Sequence, residues 1–314
     1  MNARAPGAPP SSPTVIGNVN VDLLVHPAAE LPPPGTEWAV EAVDMRVGGA
    51  AGNAALTLAA LARAPRLVGC VGQDRFGGFI RDELATAGVA LDDLRIDPNL
   101  PTGVSIAFEA PGRDRSFLTL RGSLGAFDRS MVPDDALHAP AVLCAGYFLL
   151  PSLRGAPTRD LLAAVRARGG TTFLDLGWDP DGFPASTRDE VRALLPLADV
   201  FLPNAMEATA LAGRETPIDA ARELQRLSGG VVVVKLGARG AHAATPEGEL
   251  TVQAPEVDVV DTTGAGDACN AGLVAGLTDG LGWPEALAFA VRVASTVVAR
   301  GSSDRHPTRD ELLG

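Results

Sequence analysis

Short apolar runs alternate with helical patterns through the middle of this 314-residue chain. A helical pattern at 161–168 follows the apolar run 141–146, and the order then repeats as strand 171–175, helix 189–195 and strand 200–203. This alternation predicts an α/β fold whose central sheet is mainly parallel and is covered by helices on both faces.

Three polar residues stand at the predicted carboxyl ends of strands: Asp175, Asn204 and Asp261. In doubly wound sheets ligands bind outside these ends, so we expect the functional site at this edge. The apolar run 231–235 predicts a central strand, because such a run must be buried on both faces.

Composition limits the classes of protein to which this chain can belong. Apolar residues make up 46% of the chain, which is enough for a large core, and the net charge of −12 argues against binding to nucleic acid. The cysteines, Cys70, Cys144 and Cys269, are widely spaced without a metal-binding pattern, which is typical of core residues in a reducing compartment. No run has the length of a membrane span, and residues 1–13 lack the apolar core of a signal peptide. We therefore expect a cytoplasmic protein with a disordered tail at 1–13 and no membrane contact.

The stretch 261–267, Asp-Thr-Thr-Gly-Ala-Gly-Asp, leads into an Ala/Gly/Leu-rich run that ends at Leu277. This pattern predicts a strand end, a glycine turn and then a helix. The backbone N–H groups of residues 264–266 would lie at the helix N-terminus, where they favour an anion. Asp267 would lie in the first turn, either as an acid that stabilises the helix dipole or as a general base.

A second glycine turn, Gly-Gly-Ala-Ala-Gly-Asn at 48–53, also precedes a helical pattern. Before it, the strand pattern 14–25 places Asn18, Asn20 and Asp22 on one face. These polar side chains either lie on the wet face of an edge strand or bind a ligand rich in hydroxyl groups.

Two further motifs lie in the second half of the chain. The spacing of Asn204 and Glu207 fits a helix capping box, and it also fits a pair that organises Mg²⁺ through water. The strand 231–235 ends in Lys235-Leu-Gly237-Ala-Arg-Gly240. Lys235 either contacts phosphates or is solvated at the strand end.

Taken in order along the chain, these motifs resemble those of the ribokinase (PfkB) family of sugar and nucleoside kinases. The resemblance implies a three-layer α/β sandwich over 14–314, with a discontinuous β lid from 36–47 and 88–121. It also implies an enzyme that transfers a phosphoryl group from ATP to an alcohol group, with Mg²⁺ as cofactor.

The resemblance also implies roles for individual residues. Asp267 would be the catalytic base, with Gly264, Ala265 and Gly266 as the anion hole. The residues matched to the sugar site are Asn20, Asp22, Gly48, Gly49 and Asn53. Those matched to the ATP site are Asn204, Lys235, Gly237, Gly240 and Thr262. Glu207 and Asn204 would organise Mg²⁺ through water, and Asp261 and Thr263 would hold a monovalent cation such as K⁺.

Ala50 stands where ribokinases and phosphosugar kinases of this family carry lysine. The sequence therefore predicts a non-phosphorylated acceptor, such as ribose, fructose or 2-keto-3-deoxygluconate, with a nucleoside as the alternative. A non-catalytic sugar sensor and a nicotinamide-dependent oxidoreductase are less favoured, because Asp267 is present and no GxGxxG follows the first strand.

The short strand patterns in 36–47 and 88–121 are not followed by helices. A small sheet of this kind cannot cover both of its faces in a monomer. We therefore expect a homodimer that forms through the lid.

Overall fold

A nine-stranded sheet forms the body of the protein in the computed structural model, which describes residues 12–28, 32–108, 116–301 and 305–313. The strands are β1 Thr14–Gly17, β2 Asn20–His26, β3 Ala42–Gly48, β4 Arg66–Gly72, β5 Leu94–Asp97, β6 Val104–Phe108, β7 Ser116–Leu120, β8 Ala141–Ala145, β9 Thr171–Leu174, β10 Val200–Phe201, β11 Val231–Lys235, β12 Ala241–Thr245 and β13 Gly248–Val252. The helices are α1 Ala50–Ala60, α2 Arg75–Thr86, α3 Ala156–Ala167, α4 Ala185–Leu194, α5 Ala205–Ala212, α6 Pro217–Ser228, α7 Ala265–Thr278, α8 Trp283–Val298 and α9 Arg309–Leu313.

The strand order in the large sheet is β13-β12-β11-β10-β9-β8-β1-β4-β5. The pairs β11–β12 and β12–β13 are antiparallel, whereas the other neighbours are parallel. The predicted mainly parallel α/β sheet is therefore confirmed, and β11 lies in its interior as its apolar run requires.

Two hydrophobic clusters, one on each face of the large sheet, give the fold three layers. Two consecutive residues of β1 show the division. Val15 packs in the cluster with α1, α2, α7 and α8, whereas Ile16 packs in the cluster with α3 to α6. Strand side chains alternate between faces, so each central strand contributes to both clusters.

The predicted first strand at 14–25 is two strands in two different sheets. Asn18 lies between them, and its Oδ1 accepts a hydrogen bond from Ala50 N at 3.1 Å while its O accepts from Ala51 N at 3.2 Å. The start of α1 thus supplies the hydrogen-bond donors that a neighbouring strand would otherwise provide to Asn18. The chain then continues into β2, in a small sheet of order β3-β2-β6-β7.

The small sheet differs in its bounds from the predicted lid. It includes β2, and β3 begins at Ala42 rather than at residue 36. The predicted lid range 88–121 also contains β5, which instead pairs with β4 at the edge of the large sheet and buries Leu94 in its core.

The structure also bears on the predicted N-terminal tail, on the three cysteines and on the expected lack of a membrane span. Pro13 belongs to the folded body, because its O accepts from Arg66 N at 3.0 Å, and the rest of the predicted tail up to residue 11 lies outside the described residues. The three cysteines are buried free thiols. Within the described ranges, no helix is both long and apolar enough to cross a membrane.

Candidate active site

The glycine turn at 264–266 forms as the sequence predicts. Gly264 is the N-cap of α7 with φ of 70°, in the left-handed region that suits glycine, and Ala265 and Gly266 open the helix. Ala265 N donates to Thr262 O at 3.3 Å, whereas the other N–H groups of a first helical turn have no acceptor within the helix and are available to a ligand. Asp267 lies in that first turn.

The second glycine turn meets the first through Asn53. This residue lies in the first turns of α1, and its Nδ2 donates to Asp267 Oδ2 at 2.9 Å. A Cβ atom on Gly264 would lie 3.1 Å from the Asn53 amide, so the two turns are in contact. The predicted base and one predicted sugar-site residue are therefore neighbours, although 214 positions separate them.

The charge state of Asp267 differs from the expectation for a helix N-terminus, where the dipole lowers a carboxyl pKa. Its pKa is raised to about 7, chiefly because burial removes water from the carboxylate and secondly because Asp175 is negative. The hydrogen bond from Asn53 and the charge of Lys235 oppose this rise. Such a pKa suits a group that accepts a proton near neutral pH.

Lys235 is neither solvated nor free. Its Nζ donates to Asp175 Oδ1 at 2.7 Å and to Asn270 Oδ1 at 3.2 Å, and a Cβ atom on Gly266 would lie 3.6 Å from this ammonium group. Burial lowers the pKa of Lys235, but nearby carboxylates outweigh that effect and raise it to about 12. The lysine therefore stays charged beside the anion turn.

The sequence placed Asp175 at the expected functional edge without giving it a role, and it did not single out Asn270. Asp175 follows β9, and its position at a carboxyl strand end was the available signal. Asn270 lies three residues after Asp267 on α7, so helical spacing places both on the same side of the helix.

Asn204 and Glu207 form the capping box at the start of α5. Asn204 N and Nδ2 donate to the Glu207 carboxylate at 3.0 and 2.7 Å, and Glu207 N donates to Asn204 Oδ1 at 2.9 Å. The pKa of Glu207 is raised to about 7 by burial and by Asp175.

The capping box limits how Asn204 and Glu207 could contact Mg²⁺. Both oxygens of Glu207 already accept hydrogen bonds, and no group of three or more His, Cys, Asp or Glu side chains in the described part of the chain could hold a metal ion. Mg²⁺ keeps much of its water and takes several ligands from substrate phosphates. Direct coordination by Glu207 would compete with these hydrogen bonds, whereas contact through water would leave the capping box intact.

The polar face at the start of β2 lies near Asp267, since the charge of Asp22 contributes to the raised pKa of that carboxylate. Asn20 Nδ2 donates to Asp22 Oδ1 at 2.7 Å and lies 3.4 Å from Ser105 Oγ on β6. All three side chains are buried, and burial raises the pKa of Asp22 to about 6. Ser105 was not singled out in the sequence, because only the pairing of β2 with β6 brings it here.

Gly48 and Gly49 make room for this polar face. A Cβ atom on Gly48 would lie 2.1 to 2.3 Å from the Asp22 carboxylate. Gly49 has φ of 81°, and a Cβ there would lie 2.4 Å from Asn18 O. Side chains at either position would therefore displace the predicted sugar ligands.

A cleft of about 790 Å³ adjoins the anion turn. Four of the residues predicted for ATP line it: Lys235, Gly237, Gly240 and Thr262. Its other walls include Val257, Val259, Val291 and Val298. A flat aromatic base fits between such apolar walls, while phosphates would reach the polar end at Gly266. Asn204, the fifth residue predicted for ATP, is not among the residues that line the cleft.

Asp261 lies just before the turn and does not have the surroundings expected of a cation ligand. Its carboxylate forms ion pairs with Arg46 on β3 and with Arg305 near the C-terminus, and its Oδ1 accepts from Thr263 N at 2.8 Å. The monovalent cation expected at Asp261 and Thr263 therefore does not fit these residues, because two guanidinium groups already neutralise the carboxylate.

Several known proteins are similar to this chain along most of its length. Residues 12–309 match the family described as pfkB family carbohydrate kinase. An aminoimidazole riboside kinase of Salmonella typhimurium is 34% identical over 281 residues, which cover 84% of this chain and 86% of that protein. A 2-dehydro-3-deoxygluconokinase of Bacillus subtilis is 30% identical over 280 residues, or 85% of each chain. Arabidopsis thaliana ribokinase, solved in complex with ribose and ATP, is similar with a TM-score of 0.83 at 28% identity, over 96% of this chain and 97% of that one.

Proposed function

The chain belongs to the pfkB family of carbohydrate kinases, and we propose that it transfers the γ-phosphoryl group of ATP to a hydroxyl of a small, non-phosphorylated sugar or sugar acid. The observation that carries this proposal is the position of Asp267. It accepts a hydrogen bond from Asn53, lies within electrostatic reach of Asp22 on the polar β2 face, and directly follows the anion turn beside the 790 Å³ cleft.

The reaction follows from these positions. The hydroxyl of the acceptor attacks the γ-phosphorus as its proton passes to Asp267, while the N–H groups of 264–266 hold the phosphoryl oxygens. Asn53 fixes the orientation of the base through the 2.9 Å hydrogen bond. Positioning and electrostatic stabilisation dominate catalysis of phosphoryl transfer, so a fixed base and a fixed turn are the main contributions of the protein.

Mg²⁺ would be held through water by Asn204 and Glu207 and would neutralise charge on the phosphates of ATP. Lys235 adds a positive charge beside the same turn, and its pairing with Asp175 keeps the ammonium group in place.

The acceptor site supports a polyol without a phosphate. Asn20, Asp22 and Ser105 offer donors and acceptors that match hydroxyl groups, and Ala50 brings no positive charge to the second turn. Arg46, on the strand beside β2, is opposed by two carboxylates, since it forms an ion pair with Asp261 and its charge lowers the pKa of Asp22. A phosphorylated sugar would have to compete with both carboxylates for this cation.

The experiment is a coupled ADP-release assay across neutral sugars, sugar acids, nucleosides and phosphosugars, with Asp267→Asn as the control for catalysis. Turnover of a neutral sugar or sugar acid is the expected result. Faster turnover of fructose 1-phosphate, fructose 6-phosphate or tagatose 6-phosphate would contradict the acceptor class. A nucleoside as best acceptor would favour the nucleoside kinase, and sugar binding without ADP release would favour the sensor.

We further propose that two copies pair through the small sheets. Met45, Leu23, Ile106 and Leu118 form a continuous apolar row across β3-β2-β6-β7, since each is in register with the next. Met45 and Leu118 are about half exposed, at 46% and 53%. Apolar patches of this kind on a soluble chain favour association, and a second copy offers the same face. The reaction is proposed to take place in the cytoplasm, where the three free thiols would stay reduced.

A further inference from the structure

The Asp261 carboxylate is held between two arginines that come from opposite ends of the chain. Arg46 Nη2 lies 2.5 Å from Asp261 Oδ2. The contact is an ion pair, and Arg46 makes no hydrogen bond of good geometry within the described ranges. Arg305 Nη1 donates to the same oxygen, and Arg305 Nη2 lies 3.5 Å from Asp261 O. Asp261 thus links the lid strand β3 to the C-terminal segment.

All three side chains are largely shielded from water. The exposed fractions are 13% for Arg46, 11% for Asp261 and 5% for Arg305. Charges in such a place interact more strongly than at the surface, because little water screens them. Two guanidinium groups face the Asp261 carboxylate and the nearby carboxylate of Asp22, so the negative charge that would attract a further cation is already neutralised.

The oxygens of Asp261 are also occupied. Oδ1 accepts from Thr263 N, Oδ2 contacts both arginines, and the main-chain O faces Arg305. Thr263 Oγ1 is buried and has no hydrogen-bond partner in the described part of the structure. One hydroxyl oxygen cannot replace the several oxygen ligands that a bound cation requires.

Asp261 and Thr263 connect the two arginines to the catalytic turn. The Asp261 carboxylate fixes Thr263 N, and Thr263 immediately precedes the N-cap Gly264. The C-terminal arginine is itself anchored, because the adjacent His306 lies with its Nδ1 2.9 Å from Thr57 Oγ1 on α1. Arg46 and Arg305 are therefore positioning residues for the anion turn.

We propose that the guanidinium groups of Arg46 and Arg305 supply the positive charge that a monovalent cation would provide at Asp261, so that this kinase works without K⁺. The role of this positive charge in phosphoryl transfer rests on the proposed function. The charge arrangement itself does not depend on which acceptor is used.

The first test compares K⁺ with tetramethylammonium at equal ionic strength. We expect the native chain to have the same kcat, the same KM for ATP and the same melting temperature in both salts. Higher turnover or a higher melting temperature in K⁺ would overturn the proposal.

The second test uses Arg46→Ala, which opens the position on the lid side of Asp261, and Arg46→Lys, which keeps a charge there. In tetramethylammonium, Arg46→Ala should lose kcat on the order of tenfold, and K⁺ should restore part of it and raise the melting temperature. Arg46→Lys should stay insensitive to K⁺. An Arg46→Ala variant on which K⁺ has no effect would contradict the exchange of guanidinium for cation.

The chain provides a matched control at Asp279. This residue is also held by two arginines, Arg63 and the C-terminal Arg309, but it lies at the other end of α7. Arg309→Ala should respond equally to K⁺ and tetramethylammonium, and a K⁺ response equal to that of Arg46→Ala would overturn the assignment. If no acceptor is phosphorylated in any salt, the proposed function fails, whereas the melting temperatures still decide between arginine and cation.

Discussion

The side-chain amide of Asn53 donates a 2.9 Å hydrogen bond to Asp267 Oδ2 and so joins the first turns of α1 and α7. The contact sets two properties of the proposed base. It fixes the direction of the carboxylate, and it favours the ionised form against burial and the charge of Asp175, which raise the pKa to about 7.

Replacement of Asp267 by Asn tests whether this carboxylate is the base. Loss of a general base reduces kcat by about 10² to 10⁴, and we expect that loss in the ADP-release assay with ATP binding retained. The asparagine still offers an oxygen to Asn53. If Asp267 only stabilised the helix dipole, the change would cost at most about 1 kcal/mol of stability and leave kcat nearly intact.

The same variant gives a stability measurement. The pKa of Asp267 in the fold is above its ordinary value of 3.8, so its contribution is most favourable below pH 3.8 and is lost as the pH rises through 7. Asp267→Asn removes the buried charge. Its melting temperature, relative to that of the native chain, should therefore be higher at pH 8 than at pH 5, and the reverse order would contradict the raised pKa.

The pH dependence of kcat/KM is a separate prediction. A base with a pKa of about 7 is protonated below that pH and cannot accept a proton, so kcat/KM should fall as the pH drops through 7. Glu207 also has a pKa of about 7, and Glu207→Gln separates the two groups. The transition should persist in Glu207→Gln, and its disappearance there would assign it to Glu207.

Asn53 can be tested through the same profile. Its hydrogen bond lowers the pKa of Asp267, so Asn53→Ala should move the fall in kcat/KM to higher pH and reduce kcat at neutral pH. A residue that only packs α1 would change the melting temperature without moving the profile. An unshifted transition in Asn53→Ala would thus show that the amide does not tune the base.

The elements of this site that could be predicted from sequence are local ones. Both glycine turns, the helix after each of them and the capping box of Asn204 and Glu207 depend on residues within a few positions of one another. The helix starts were less accurate. Helix α3 begins at Ala156 rather than 161, because Pro157 is tolerated in a first turn and did not signal a helix in the sequence.

The features that were missed depend on distant pairings. Lys235 is neutralised by Asp175, 60 positions away, and Asp261 by Arg305, 44 positions away, and no spacing rule connects such residues. The raised pKa of Asp267 has the same origin. Sequence places it at a helix dipole, but only the packed structure adds burial and the charge of Asp175, which outweigh the dipole.

Gly48→Ala tests the polar face that the acceptor is proposed to use. The added Cβ would lie 2.1 to 2.3 Å from the Asp22 carboxylate, so the carboxylate must move. Loss of a hydrogen bond to a charged group costs about 1.5 to 3 kcal/mol, which predicts a KM for the sugar raised roughly tenfold or more, with the KM for ATP unchanged.

Gly78→Ala is the matched control for Gly48→Ala. A Cβ on Gly78 would meet no atom within 4 Å, and the residue lies inside α2, where alanine is favoured over glycine by roughly 0.5–1 kcal/mol. This variant should keep both KM values and melt at a slightly higher temperature. Equal effects of the two substitutions on the sugar KM would contradict the role given to Gly48.

The outer face of the small sheet provides the last prediction. Leu118 lies at the end of the apolar row Met45, Leu23, Ile106 and Leu118, and it is 53% exposed in one copy of the chain. Leu118→Glu would place a charge in the interface of the proposed dimer, where a carboxylate without a partner is costly. Light scattering at micromolar concentration should therefore give a dimer for the native chain and a monomer for Leu118→Glu.

Ile218→Glu, at an exposed position in the first turn of α6, should remain a dimer, since an acid there is favoured by the helix dipole and lies outside the small sheet. A native chain that is monomeric under these conditions, or a Leu118→Glu variant that stays dimeric, would show that the lid face is not the interface.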